Sequence, residues 1–176
     1  MLFDIQMETK VQYPENSIIE DDSFKVIRQR VIEFAAANWE LGRTHGMAHW
    51  RNVESNGHRL AVEGVNLRVV SLFAYLHDKW RRDNYRDINH GIRAAHHLVP
   101  LRDTLLKELT DEEFDLLYKA CKLHTVCHHT GDITIDTCFD ADRLDLVRCG
   151  IQPDPRGMAT ERGKQLAKQL KPIRRI

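Results

Sequence analysis

Between Leu67 and Trp80 the chain is apolar on nearly every side, and a His-Asp dipeptide, His77-Asp78, sits inside that run. A segment apolar all round is a helix buried at the centre of a protein, so other elements must wrap it. A carboxylate in such a place is costly unless its charge is balanced. A carboxylate beside a neutral imidazole suits a divalent cation. The run therefore constrains both the fold and the chemistry.

The remaining segments read as helices. Ser23 to Leu41 carries the stripe Ile27, Val31, Phe34, Ala35 and Leu41, with Gly42 as a stop. A second helix is expected from Ala48 to Glu63, a fourth from Ile88 to Val99 before Pro100, and a short one from Leu101 to Leu109. Thr110-Asp-Glu-Glu113 has the pattern of a capping box and opens a helix with Phe114, Leu117, Cys121 and His124 on one stripe. Cys138 to Cys149 forms another, closed by Gly150, and Thr160 to Leu170 the last. Residues 1–22, with Pro14, read as an extended arm, and 23–176 as one all-α domain, a single helical bundle of six to eight helices.

Helical phase separates inward-facing polar residues from the others. His49 shares a face with Val53, Asn56 and Leu60. His58, nine residues on, falls about 180° away and is expected to face water. Asp142 shares a stripe with Phe139, Leu146 and Cys149. Three helices thus bring His49, His77, Asp78 and Asp142 to one interior point. Nitrogen and oxygen ligands in that mixture suit Mn²⁺, Fe²⁺, Zn²⁺, Co²⁺, Ni²⁺ or Mg²⁺.

Composition narrows the partners. Basic and acidic residues balance at 26 each, so no global field points to nucleic acid. There is no aromatic–basic interleaving of the kind that stacks bases, and no apolar run approaches a membrane span. The N-terminus lacks a basic segment followed by an apolar core, and none of Cys121, Cys127, Cys138 and Cys149 forms a Cys-x-x-Cys pair. These features fit reduced thiols in a cytoplasmic protein. A homo-oligomer is left open.

The order His49 … His77-Asp78 … Asp142 resembles the HD superfamily of metal-dependent phosphohydrolases. Four stretches carry the likeness: His-Gly-Met-Ala-His-Trp, Leu-Phe-Ala-Tyr-Leu-His-Asp, Asp-Ile-Asn-His-Gly-Ile-Arg-Ala-Ala and Cys-Phe-Asp-Ala-Asp-Arg-Leu-Asp-Leu. Together they run from His45 to Arg148 and are most similar to small bacterial HD-domain proteins. The resemblance implies one or two ions. The second would use His90 and His124, with His128 as a rival one turn on. The phase of the fourth helix sets His90 opposite the Ile88–Ile92–Ala95–Val99 stripe. His45 is expected in the pocket rather than as a ligand.

An ion held there would activate water for attack on phosphorus, with Asp78 at the reacting centre. Lys79, Arg81 and Arg82 after the His-Asp pair could bind phosphate, and the resemblance gives Arg143 a contact with substrate phosphate. A cation-rich helix end would also follow from the helix dipole alone. Asp83 and Asp87 are candidate general acids or bases, and Asp87 could instead cap the fourth helix. Nucleotidases and guanosine-tetraphosphate hydrolases of the superfamily carry a Glu three or four residues after the His-Asp pair, where this chain has Arg81 and Arg82. The expected substrate is a small phosphate ester, a nucleotide or related metabolite. A di-iron oxygenase on the same scaffold and a non-catalytic nucleotide-binding sensor are the alternatives.

Overall fold

The structure, a computed structural model, describes residues 21–171. Apart from Asp21 and Asp22, the expected N-terminal arm lies outside them, as does the basic tail after Lys171. Seven α-helices and three short 3₁₀ turns follow one another, with no strand among the described residues. They are α1 (Asp22–Ala36), α2 (Met47–Leu60), α3 (Leu67–Leu76), α4 (His90–Leu98), α5 (Asp111–Leu123), α6 (Ile133–Leu144) and α7 (Glu161–Gln169). The all-α expectation holds.

The apolar run forms the axis of the bundle. Nine of the ten residues of α3 are buried, and α1, α2, α5 and α6 all pack against it. Its start is fixed by Asn66, whose side chain accepts from the Val69 amide at 3.1 Å. Its end comes at Leu76, four residues before the expected Trp80. His77 is the C-cap, and Asp78 leads into a turn closed by the Arg81 amide on the Asp78 carbonyl. The early stop frees the Asp78 side chain to leave the helix surface and face the interior.

Other boundaries also moved. α1 stops at Ala36, not Leu41, because Asn38 takes a left-handed φ of 54°. α6 begins at Ile133, five residues before the expected Cys138, because the Asp132 carboxylate accepts from the amides of both Thr134 and Ile135. It ends at Leu144, and Asp145–Cys149 tightens into a 3₁₀ turn before left-handed Gly150. Leu101 to Leu109, expected as a short helix, is a chain of turns that buries Leu106 and Leu109. On α4 the buried face is His90, Gly91, Ala94, Ala95 and Leu98. The Ile88–Ile92–Val99 stripe is turned outward, at 52%, 40% and 55% exposure.

Close approaches hold the layers together. A Cβ at Gly57 would lie 2.3 Å from Val70 Cγ1, so glycine lets α2 press against α3. A Cβ at Gly91 would lie 2.7 Å from the Cys121 carbonyl oxygen, so glycine lets α4 press against α5. His58 lies at the α2–α3 seam and was expected to face water. Instead it is half-buried, with Nε2 2.9 Å from Ser71 Oγ, and burial holds its pKa below the ordinary value.

The capping box at Thr110 is present in both halves. The Glu113 amide donates to Thr110 Oγ1 at 3.1 Å, and the Thr110 amide donates to Glu113 Oε2 at 3.0 Å. Thr110→Ala is expected to cost about 1 kcal/mol. In a domain of this size that lowers the melting temperature by about 2–4 °C, measurable by calorimetry.

Candidate metal centre

Six side chains converge below the ends of α3 and α5. His49 comes from the first turn of α2, His77 and Asp78 from the end of α3, and Asp142 from the last turn of α6. His90 opens α4 and His124 caps α5. All but Asp142 are buried; its side chain is 29% exposed and marks the mouth.

The hydrogen-bond partners fix how each imidazole is presented. His49 Nδ1 lies 2.7 Å from Asp145 Oδ2. His77 Nδ1 lies 3.1 Å from the carbonyl oxygens of both Phe73 and Ala74. His124 Nδ1 lies 2.7 Å from the Cys121 carbonyl, and His90 Nδ1 contacts the Asp87 carbonyl. Each of these acceptors requires the proton on Nδ1. In the neutral ring each Nε2 then turns a lone pair inward, toward carboxylates that only accept.

The inward atoms form two groups that share Asp78. In the first, His49 Nε2 is 3.3 Å from His77 Nε2, 3.4 Å from Asp142 Oδ1 and 3.5 Å from Asp78 Oδ2. His77 Nε2 is 3.7 Å from each of those two oxygens. Ligands about 2.1 Å from a tetrahedral ion stand about 3.4 Å from one another. The second group is Asp78 Oδ1, His90 Nε2 and His124 Nε2, at 2.9 Å, 4.0 Å and 2.8 Å from one another. Buried groups so close together need protons or a metal cation between them. His49, His77 and Asp142 stand close enough to hold a metal ion, as do His77, Asp78 and His124, and as do His45, His49 and Asp78.

Local charges agree with that demand. Burial alone would lower the His49 pKa, but the Asp145 hydrogen bond, Asp78 and Asp142 outweigh it and raise it to about 9. Burial and the neighbouring His77 ring push His124 down to about 3. Burial works to raise both Asp78 and Asp142. For Asp78, the charge of His77 and the contacts with His45, His49 and His90 prevail and hold the carboxyl well below its usual range. His77 and His49 do the same for Asp142.

A cavity of about 300 Å³ opens onto the centre, lined among others by His45, Arg81, Tyr85, Arg86, Thr125 and Arg148. His45 belongs to it as expected, with Nδ1 3.0 Å from Asp78 Oδ2. Its position depends on Gly46, where a Cβ would lie 2.6 Å from the Gly42 carbonyl oxygen. Arg81 also reaches the site, with Nη1 3.5 Å from Asp78 Oδ1.

Five other expected residues lie elsewhere. Lys79 turns its amine to the Ala37 carbonyl. Arg82 is exposed beyond the cavity lining. Arg143 donates to the carbonyls of Cys127, His128 and Gly157, tying the α5–α6 connection to the segment before α7. His128 is exposed, with Nε2 3.2 Å from the Arg156 carbonyl, so His124 and not its rival joins the centre. Asp83 is exposed in the turn after α3 and accepts from the Tyr85 amide. Asp87 lines the cavity, but it is paired with Arg93 and accepts from the Arg82 amide.

Three residues escaped the sequence reading. Asp145 is 3% exposed and takes up His49, Asn52 Nδ2 at 2.9 Å and Arg148 Nη1 at 3.2 Å. It stands three residues after Asp142, in a motif that already drew notice. Arg86 lies on a loop, where periodicity gives no signal, and Arg148 lies on a 3₁₀ turn that the sequence suggested was the end of an α-helix. No protein-family model, curated protein or solved structure matches the chain.

Two outcomes are expected. Asp145→Ala leaves His49 without its orienting acceptor and should weaken ion affinity about 10–100-fold, read by competition with a chelating dye. The second concerns pH after ions are stripped. His49 binds its proton more tightly folded than unfolded, so its stabilisation is complete below pH 6.5 and is lost between 6.5 and about 9. His124 resists protonation when folded, so stability also falls from pH 6.5 toward about 3. The melting temperature of the stripped protein should peak near pH 6.5. A steady rise from 6.5 to 9 would contradict the arrangement.

Proposed function

We propose that the chain is a metal-dependent phosphohydrolase of the HD kind, acting on a small phosphate ester such as a nucleotide. The observation that carries this reading is the set of four inward Nε2 atoms, each fixed by an Nδ1 hydrogen bond, facing two carboxylates beneath an arginine-lined cavity. The first group, His49, His77, Asp142 and Asp78 Oδ2, would hold one ion. His90, His124 and Asp78 Oδ1 would hold a second. Mn²⁺, Fe²⁺, Co²⁺, Ni²⁺ and Zn²⁺ match these donors better than Mg²⁺, which prefers an all-oxygen set. Such ions supply Lewis-acid polarisation of a phosphoryl oxygen and a water of lowered pKa.

The chain's own residues supply the rest. Arg81 and Arg148 present guanidinium groups held in place by protein acceptors, suited to the fixed geometry of phosphate oxygens. Arg86 has no side-chain partner among the described residues and lies at the cavity lining, free to follow a substrate. Tyr85, 85% exposed, offers an aromatic face at the same mouth. Asp83 and Asp87 are poorly placed as proton carriers, the first outside the cavity lining and the second already paired. His45 is the cavity imidazole outside the inward Nε2 set. Its Nδ1 hydrogen bond to Asp78 positions it to hand a proton to the leaving oxygen.

The test is turnover by the full chain loaded with Mn²⁺, Co²⁺ or Ni²⁺ on nucleotides and generic phosphodiesters. Asp142→Ala should lose both the ion and activity. His45→Gln should keep the ion and lose about 10²–10⁴-fold in kcat; loss of the ion instead would make His45 a ligand. Bound metal with no turnover of any substrate counts against the reading. Iron with oxygen uptake would favour the di-iron oxygenase, and tight nucleotide binding without turnover the sensor.

A further inference from the structure

Arg81 touches the proposed ligands themselves, which a role in phosphate binding alone leaves unexplained. Its side chain is 8% exposed, although it lies in the turn after α3. Nη2 donates to the Tyr85 carbonyl at 2.7 Å, and Nε donates to the Asp83 carbonyl at 3.3 Å. The guanidinium is thus anchored by its own turn and does not need the metal ligands to stay in place.

Its placement beside the ligands is one-sided. Nη1 lies 3.5 Å from Asp78 Oδ1, and 3.2 and 3.3 Å from Nδ1 and Nε2 of His90. A group equidistant from both ring nitrogens is not on either lone-pair axis. In the ring plane it would overlap Cε1, so it lies over the ring face, a stacking that suits a guanidinium. The His90 Nε2 lone pair therefore stays open toward His124 and Asp78. Among the described residues Arg81 makes no hydrogen bond or ion pair with His49, His77 or Asp142.

The two groups of ligands are therefore electrostatically unequal. The first has oxygens from two carboxylates, and Arg81 touches only the far oxygen of one of them, Asp78 Oδ1. The second has one oxygen of that shared carboxylate, two imidazoles and the guanidinium directly against them. Like charges at this separation, in a site largely closed to water, repel strongly. A phosphate anion reverses the balance, because it can accept from Arg81 while neutralising an incoming dication.

We propose that Arg81 sets the loading order of the centre: the His49–His77–Asp142 group binds its ion alone, and the His90–His124 group takes a second ion only together with a phosphate group. By linkage, the second ion tightens phosphate binding by the same factor. This rests on the two-ion reading above. It makes Arg81 a device that completes the site when a phosphorylated substrate arrives.

The experiment measures Mn²⁺ bound per chain by equilibrium dialysis of the chelator-stripped full chain, with and without inorganic phosphate. Paramagnetic resonance reports whether two ions are coupled. The unmodified chain should bind one ion tightly without phosphate, and phosphate should tighten the second at least tenfold. Arg81→Met should bind two ions without phosphate, and Arg81→Lys should keep the original order. Folding of each variant is checked by circular dichroism. The unmodified chain alone decides the first half, so a variant that fails to fold does not rescue the idea. Two ions of similar affinity without phosphate would overturn it. So would a phosphate-insensitive second ion, or an Arg81→Met variant that loads like the parent. One ion and never a second defeats this inference and leaves a one-ion hydrolase standing. No ion under any condition defeats the metal-centre reading itself.

Discussion

The centre depends on where the imidazole protons are held. Four rings commit Nδ1 to an acceptor at the back, and this leaves four Nε2 atoms and two carboxylates facing one another inside the bundle. Removing a carboxylate from water costs several kcal/mol even after the protein relaxes, so the crowd is tolerable when a positive charge is shared across it. Backbone supplies most of the anchoring. The last turn of a helix leaves carbonyls without intrahelical partners, and His77 and His124 use such carbonyls, those of Ala74 and Cys121, at the ends of α3 and α5. The helix ends are therefore part of the site. Had α3 continued to Trp80, the same carbonyls would have been taken up by further turns and Asp78 would have stayed on the helix surface.

Much of this was legible in the sequence because it depends on residue type and helical phase. The apolar run identified the central helix, Val53 and Leu60 fixed the inward face that carries His49, and the capping box marked the start of α5 to the residue. The face of α4 was misread for a physical reason. A nine-residue helix has too few turns for its periodicity to settle which side is buried. Here the packing face is built from Gly91, Ala94 and Ala95, because α4 lies close enough to α5 for backbone to meet backbone. The larger Ile88, Ile92 and Val99 formed the stronger stripe and proved to be the exposed one.

The basic residues were the least legible. Lys79, Arg82 and Arg143 fit a phosphate site by sequence position, yet Lys79 and Arg143 satisfy carbonyls of distant loops and Arg82 is exposed outside the cavity lining. A guanidinium with five donors is as well suited to tie irregular backbone together as to bind phosphate. Choosing between the two roles requires knowing which carbonyls the fold leaves unpaired, and that is a property of tertiary contacts between segments such as 127–128 and 157. Arg86 and Arg148 were overlooked for the complementary reason. Arg86 stands on a loop, where neither spacing nor an apolar stripe marks the direction of a side chain, and Arg148 on a 3₁₀ turn that the sequence suggested was the end of an α-helix.

Asp145 shows how the two sides of the proposed site are coupled. One oxygen orients His49, and the other accepts from Asn52 on the same face of α2. Arg148, a wall of the cavity, is paired with the same carboxylate and also reaches the Thr44 carbonyl, one residue before His45. A single buried carboxylate thus connects an inward-facing imidazole, a cation at the cavity wall, and the loop that carries His45. On the proposed reading, an anion drawing on Arg148 would weaken its hold on Asp145 and leave more of that carboxylate's charge to His49. The ring would then be a stronger donor to its ion when substrate is present. Ion binding and substrate binding would be linked on the His49 side through Asp145, as they are on the His90 side through Arg81.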